Sequence, residues 1–458
     1  MDNVTYDVRF WKTKVYKGKK VTTHTVRWVV GGKEWQEHFR SAAQADSFRA
    51  SLVSAARKGE AFRLDTGRPV SWAREESSMT WYTFTLSYVE AKWPYASPNH
   101  RRGIAEALVD ATEVLLTTEK GAPSQDMRRA ALRWAYAERI RDGGEPPEDL
   151  AKALRWLENN TIRLSAFKDR ARGAALARSI LDRISRTKQG KPAAANTANR
   201  KRTILNNAME FAVELDVLPS NPLKAVKWTK PRTPTTVDPR VVINIEQARR
   251  FLAAVRRHGS RGERMEAFFA CMYYAALRPE EAVGLRREHL VSLPDEGWGQ
   301  MILTTAEPRA GSRWTDSGRP RERRELKHRA EGETRKVPIH PELVRLLRAH
   351  LDRFGTGSGG RVFVGPRGGL MTDRAYLKVF HEARQQAFTP EEAASPLMDV
   401  PYALRHACVS TWLNAGVPAP QVAEWAGHSV NVLLRVYAKC IHGQDGEAKR
   451  RIWEATRR

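Results

Sequence analysis

The spacing of apolar residues changes along the chain. Near the start, Val8 to Lys12 alternates weakly, Thr23 to Val30 is β-branched and aromatic, and Lys33 to Phe39 follows a Gly31-Gly32 pair. Strand side chains point to alternate faces, and paired glycines suit a tight hairpin, so these segments read as three strands. After Ser41, a favoured helix cap, Ala45, Phe48, Leu52 and Ala55 recur at helical spacing. The pattern predicts a β-β-β-α domain over residues 1–72. Lys17 to Lys20 reads as a basic turn, and Glu60 to Ser78 as a polar linker holding Gly67 and Pro69.

From residue 79 to 228 the period is helical throughout. Leu108, Val109, Leu115 and Leu116 fall on one predicted helix, Met127 to Ile140 make another, and Pro146-Pro147 breaks the chain. Asn196 to Leu218 places Ile204, Leu205, Ala208, Phe211, Ala212 and Leu215 on one face, with Arg200, Lys201 and Arg202 near its start. Lys224 to Asp238 is basic and rich in Pro and Thr, an extended strap. A basic linker is placed at 229–244, and a mainly α-helical domain with a small antiparallel sheet at 245–458. The expected fold is therefore multidomain: a small α+β domain, an all-α domain, and a mainly α domain with a C-terminal tail.

Charge narrows the function. The 458 residues carry 78 Lys plus Arg against 52 Asp plus Glu, a net charge of +26. A field of that sign favours a polyanionic partner, most simply nucleic acid. Arg9, Lys12, Lys14, Arg27 and Lys33 would let the first sheet lie in a major groove, or would form a solvated charged face. Arg200, Lys201 and Arg202, with Lys227 and Lys230 on the strap, are further candidate DNA contacts. No apolar run approaches the roughly 20 residues that span a bilayer, and no signal peptide is visible, so a cytoplasmic, nucleoid-associated location is expected. Cys271, Cys408 and Cys440 lack metal-ligand spacing and read as structural thiols. No metal and no nucleotide cofactor is expected.

Candidate chemistry concentrates in the last third. Arg405 and His406 in ALRHACVSTW precede His428 in WAGHS, and Tyr437 follows nine residues later. Cutting a phosphodiester without metal needs a nucleophile, positive charge on the non-bridging oxygens and a proton for the leaving hydroxyl. Arginine suits the oxygens, because its planar fork donates two parallel hydrogen bonds and stays charged. Arg278 lies where one apolar helix ends and Pro279-Glu280-Glu281 begins the next, a stiff elbow. Lys327 would sit in a β-hairpin, with Leu326-Lys327 ending one strand, residues 330–333 turning, and Arg335 to Ile339 returning beside it. Nine helical residues turn through about 900°, so the chain must bend between His428 and Tyr437 if both serve one site, and Ser429 is a candidate cap for the new helix.

These segments resemble the catalytic domain of the tyrosine recombinases, the phage integrase family, and are similar to integrases of actinobacterial phages or integrative elements. Leu277, Arg278 and Glu281 match its LRxxE motif, and Tyr402 to His406 its HxLRH box, with Tyr402 where the family has histidine. The resemblance implies Arg278 and Arg405 as phosphate-binding catalysts and Lys327 as the acid for the leaving oxygen, with Lys336 and His328 as nearby competitors for that role. It also implies His428 as a phosphate hydrogen-bonder or proton carrier, Tyr437 as nucleophile, Glu281 as support and His406 as a structural hydrogen-bonder. Tyr402 can still donate a hydrogen bond to phosphate. The resemblance further implies an arm-type first domain, a helical core-binding domain, a tetramer on double-stranded attachment sites and a bacterial host. A directionality factor and a host DNA-bending protein would be accessory partners. The competing readings are a helix-turn-helix regulator, with Gly416 in the turn, and a type IB topoisomerase.

Overall fold

The computed structural model describes residues 3–17, 22–72, 79–233, 235–327, 332–440 and 445–457. The chain forms two compact units, Met1–Pro231 and Arg232–Arg458. Helices dominate both, with small antiparallel sheets.

In the first unit, Thr22–Val30 is the central strand. Lys33–Phe39 pairs along one edge, while Val8–Phe10 and Lys14–Lys17 lie end to end along the other. The sheet has four strands where the alternation predicts three, because the first edge is interrupted over residues 11–13. Period two sends Val26, Trp28 and Val30 to the face covered by the Ala42–Arg57 helix, where Ala45, Leu52 and Ala55 complete a core. Ser41 stands at the cap position but makes no side-chain capping bond. Residues 18–21 of the basic turn and 73–78 of the linker lie outside the described residues.

The helices Trp81–Lys92, Pro98–Thr112, Gln125–Ala135, Glu148–Asn160, Arg170–Ile184 and Ala195–Glu214 follow. The sequence periods run past some of these ends: the helix bearing Leu108 stops at Thr112, and the next breaks after Ala135. Ala195–Glu214 buries Ile204, Leu205, Ala208 and Ala212 as its period requires, but Leu215 caps the end and is exposed. Asp110 is buried and accepts hydrogen bonds from Arg129, Arg183 and Lys201, which tie three helices to one carboxylate.

The second unit is built around Gly259–Ala275, whose residues from Ala267 onward are all buried. The helices Ile245–Arg256, Pro341–Phe354 and Tyr402–Asn414 pack on it. Phe251, Phe268, Phe269 and Phe380 interlock, largely edge to face, in the core. One sheet runs Arg335–Ile339, Gly299–Leu303, Leu290–Ser292. This corrects the expected hairpin. Arg335–Ile339 pairs with Gly299–Leu303, whereas Arg324–Glu325, just before Lys327, pairs with Thr305–Ala306. Residues 328–331, including the first half of the expected turn, lie outside the described residues. The end of the basic linker also differs: Val237 is buried and donates to the Val436 carbonyl at 2.8 Å, so this stretch joins the second unit's core.

Candidate active site

The Gly259–Ala275 helix stops because Ala276 adopts a left-handed φ of +51°. Arg278 then occupies the cap of the short Pro279–Val283 helix, the elbow expected from sequence. Glu281 reaches back, with Oε2 accepting from the Arg278 backbone N–H at 2.8 Å and Oε1 from Nη1 at 2.7 Å. The same carboxylate takes a parallel pair of bonds from Arg335, at 2.9 and 2.6 Å. Burial pushes the Glu281 pKa up, but Arg335 and then Arg278 outweigh it and hold the carboxyl below the usual range.

The sequence pattern marks Arg335 only as the start of a strand. Yet Arg335, Val337 and Ile339 occupy the buried positions of that strand, with Lys336 facing out. An arginine on the inward parity of an alternating strand is a signal that a buried partner is waiting.

Arg405 is completely buried in the Tyr402–Asn414 helix. Its Nη1 donates to the Ala276 carbonyl, and its Nη2 to the Ala426 carbonyl at 2.5 Å and to His428 Nε2 at 3.0 Å. Since the guanidinium only donates, His428 accepts at Nε2 and carries its proton on Nδ1 when neutral. Burial and then Arg405 push the His428 pKa down to about 3, which keeps it neutral. Among the described residues, Arg405 Nε and His428 Nδ1 are buried without a hydrogen-bond partner. Such donors are rare in native interiors and here suit an anion.

The chain turns between His428 and Tyr437 as expected. Gly427 ends the Ala419–Ala426 helix at a φ of +65°, and the Ser429 side chain caps Val430–Tyr437. The His428 and Tyr437 rings lie 6.1 Å apart. Tyr437 is fully buried, with its hydroxyl 2.9 Å from His406 Nδ1. Burial pushes its pKa up, opposed by Arg405. Beside this group opens a cleft of 560 Å³, lined by Arg278, Lys327, Tyr402, Gly427, His428 and Ser429, among others. Lys327 is exposed and the Tyr402 ring stands 5.8 Å from the Arg405 guanidinium carbon. The six expected catalytic positions thus gather in one neighbourhood, with Lys327 at the mouth and Tyr437 behind. Across the two helices of the helix-turn-helix reading, Arg405 donates to the Ala426 carbonyl and to His428 just beyond it, an arrangement that a regulator without chemistry does not need.

Residues 242–441 match the model of the phage integrase family. They form a tyrosine recombinase domain. The tyrosine recombinase XerD of Ralstonia nicotianae is 24% identical over 250 residues, which cover 53% of this chain and 68% of that protein. Solved structures similar to this chain include the Tn1549 transposon integrase in complex with transposon right end DNA, at 17% identity and a TM-score of 0.47, covering 72% of this chain and 99% of that one. The XerH site-specific recombinase bound to difH substrate aligns at 11% identity and a TM-score of 0.45, over 81% and 94%. Both TM-scores lie below 0.5, and the assignment rests on the family match.

Outside the recombinase domain, the candidate DNA contacts divide. Strand pairing puts Arg9, Lys14 and Arg27 on the sheet face opposite the helix, with Arg27 stacked 4.8 Å from Trp11. Lys12 is exposed beside them, whereas Lys33 belongs to the other parity and covers Trp35 at 4.4 Å. Arg200, Lys227 and Lys230 are exposed. Arg202 lies over Trp228. Lys201 does not face solvent as expected, because Asp110 draws it inward.

Proposed function

We propose that this chain is a site-specific DNA recombinase, an integrase that cuts and rejoins DNA through Tyr437. The observation that carries this reading is that Arg278 and His428 line one cleft, with Arg405 hydrogen-bonded to His428 and a buried tyrosine behind them. A phosphate in the cleft would meet two guanidiniums and the free N–H of His428. Donors placed in advance on developing charge are each worth about 3–4 kcal/mol of barrier. The Tyr437 oxygen bonds to phosphorus, the bond to the 5′-oxygen breaks, and Lys327 supplies that oxygen with a proton. A 3′-phosphotyrosine preserves the bond energy, so rejoining needs no nucleotide.

In this reading the first sheet is an arm-type DNA-binding domain, residues 79–228 bind the core site, and 229–244 link them to the catalytic domain. Four protomers exchange strands through a four-way junction on attachment-site DNA in a bacterial host. A directionality factor and a DNA-bending protein assist. A duplex selected by binding from a randomised pool, placed twice on one supercoiled plasmid, provides the test. Deletion between the copies is expected. Relaxation without deletion would indicate a topoisomerase, and binding alone a regulator.

A further inference from the structure

Among the described residues, His406 is the one hydrogen-bond partner of the Tyr437 hydroxyl, 2.9 Å from Nδ1. Its ring also meets Tyr402 edge-on at 5.0 Å, because residues four apart share a helix face. So the cleft side of this helix presents a phenol, and the imidazole one turn later touches the nucleophile. We propose that His406 is the catalytic base of this chain, taking the phenolic proton of Tyr437 during cleavage and returning it during rejoining. The proposal rests on the recombinase reading.

The step balances. As the Tyr437 oxygen bonds to phosphorus, its O–H bond breaks and the proton moves to Nδ1. The bond from phosphorus to the 5′-oxygen breaks, and that oxygen takes a proton from Lys327. Rejoining reverses both transfers. Burial and then Arg405 push the His406 pKa down to about 4, so the resting ring is neutral and can accept. Burial raises that of Tyr437. The proton therefore stays on the phenol at rest and turns acidic only as the oxygen meets phosphorus, which makes the transfer concerted with attack. Tyr402, Arg405, His428 and Tyr437 are the titratable and charged groups around the ring.

Adduct formation on a nicked, binding-selected duplex tests this, using the full chain, His406→Gln and His406→Ala. Glutamine keeps an acceptor without basicity. Both variants should bind DNA normally and form adduct at least about 100-fold more slowly. A fluorinated, more acidic tyrosine at position 437 should recover about tenfold in His406→Gln and change the parent little. If His406→Ala fails to fold, the glutamine variant with and without the fluorinated residue decides alone. A parental rate in His406→Gln, or no recovery with the acidic phenol, overturns the proposal. No adduct from the parent would instead overturn the recombinase reading, and this role with it.

Discussion

Glu281 binds Arg335 through two hydrogen bonds, with both side chains withdrawn from solvent. The same carboxylate fixes Arg278, which faces the cleft. Removing one member of such a buried set leaves charge uncompensated, at a cost of about 3–5 kcal/mol. Arg335→Ala should lose about that much in urea unfolding and slow cleavage through a loosened Arg278. Parental stability in this variant would show that Glu281 needs Arg278 alone.

Gly427 is held between the two arginines. A Cβ there would stand 2.6 Å from Arg335 Nη1, the φ of +65° is unfavourable to a side chain, and the carbonyl accepts from Arg278. Gly427→Ala should displace both guanidiniums and slow cleavage by about 100-fold while DNA affinity, read by gel shift, is kept. A cleavage rate equal to the parent's would mean that the contact yields without consequence.

Two histidines give stability a pH dependence. Folding lowers His406 to about 4 and His428 to about 3, whereas in the unfolded chain each titrates near 6.5. Between those values the unfolded chain binds protons that the folded chain refuses, so stability is fully present above 6.5 and falls as pH drops toward 4. Glu281, lowered by folding, adds its own loss below the carboxylate range. Thermal unfolding followed from pH 7 to 4.5 should show Tm falling, and less steeply in His406→Gln. An unchanged slope would remove His406 from the account.

Tyr402 lines the cleft beside Arg278 and His428. With two arginines carrying the phosphate charge, Tyr402→Phe should cost less than about tenfold in adduct rate, against 100-fold or more for Arg405→Ala. Equal losses would give the phenol a chemical role of its own.

The residues that lie in short sequence blocks were legible. Arg278 announced itself through Pro279 at a helix start, and Ser429 through its capping chemistry before an apolar run, because both depend on neighbours within four residues. Sheet pairing was not legible. Arg335–Ile339 pairs with a strand more than 30 residues earlier, across the Glu307–Arg323 excursion, and nothing local encodes that choice. The inward course of Lys201 is hidden from local sequence for a similar reason. Its inward turn depends on Asp110, a carboxylate on another helix. Arg335 was readable in principle from strand parity, since its neighbours two and four residues on are apolar and buried.

Mapping the covalent bond is the most direct measurement of the central claim. The protein is trapped on a nicked, binding-selected duplex, digested, and the nucleotide-bearing peptide sequenced by mass spectrometry. A 3′-phosphate ester on Tyr437 is expected, with adduct abolished but DNA binding retained in Tyr437→Phe. An adduct on another residue, or one that survives Tyr437→Phe, would contradict the account.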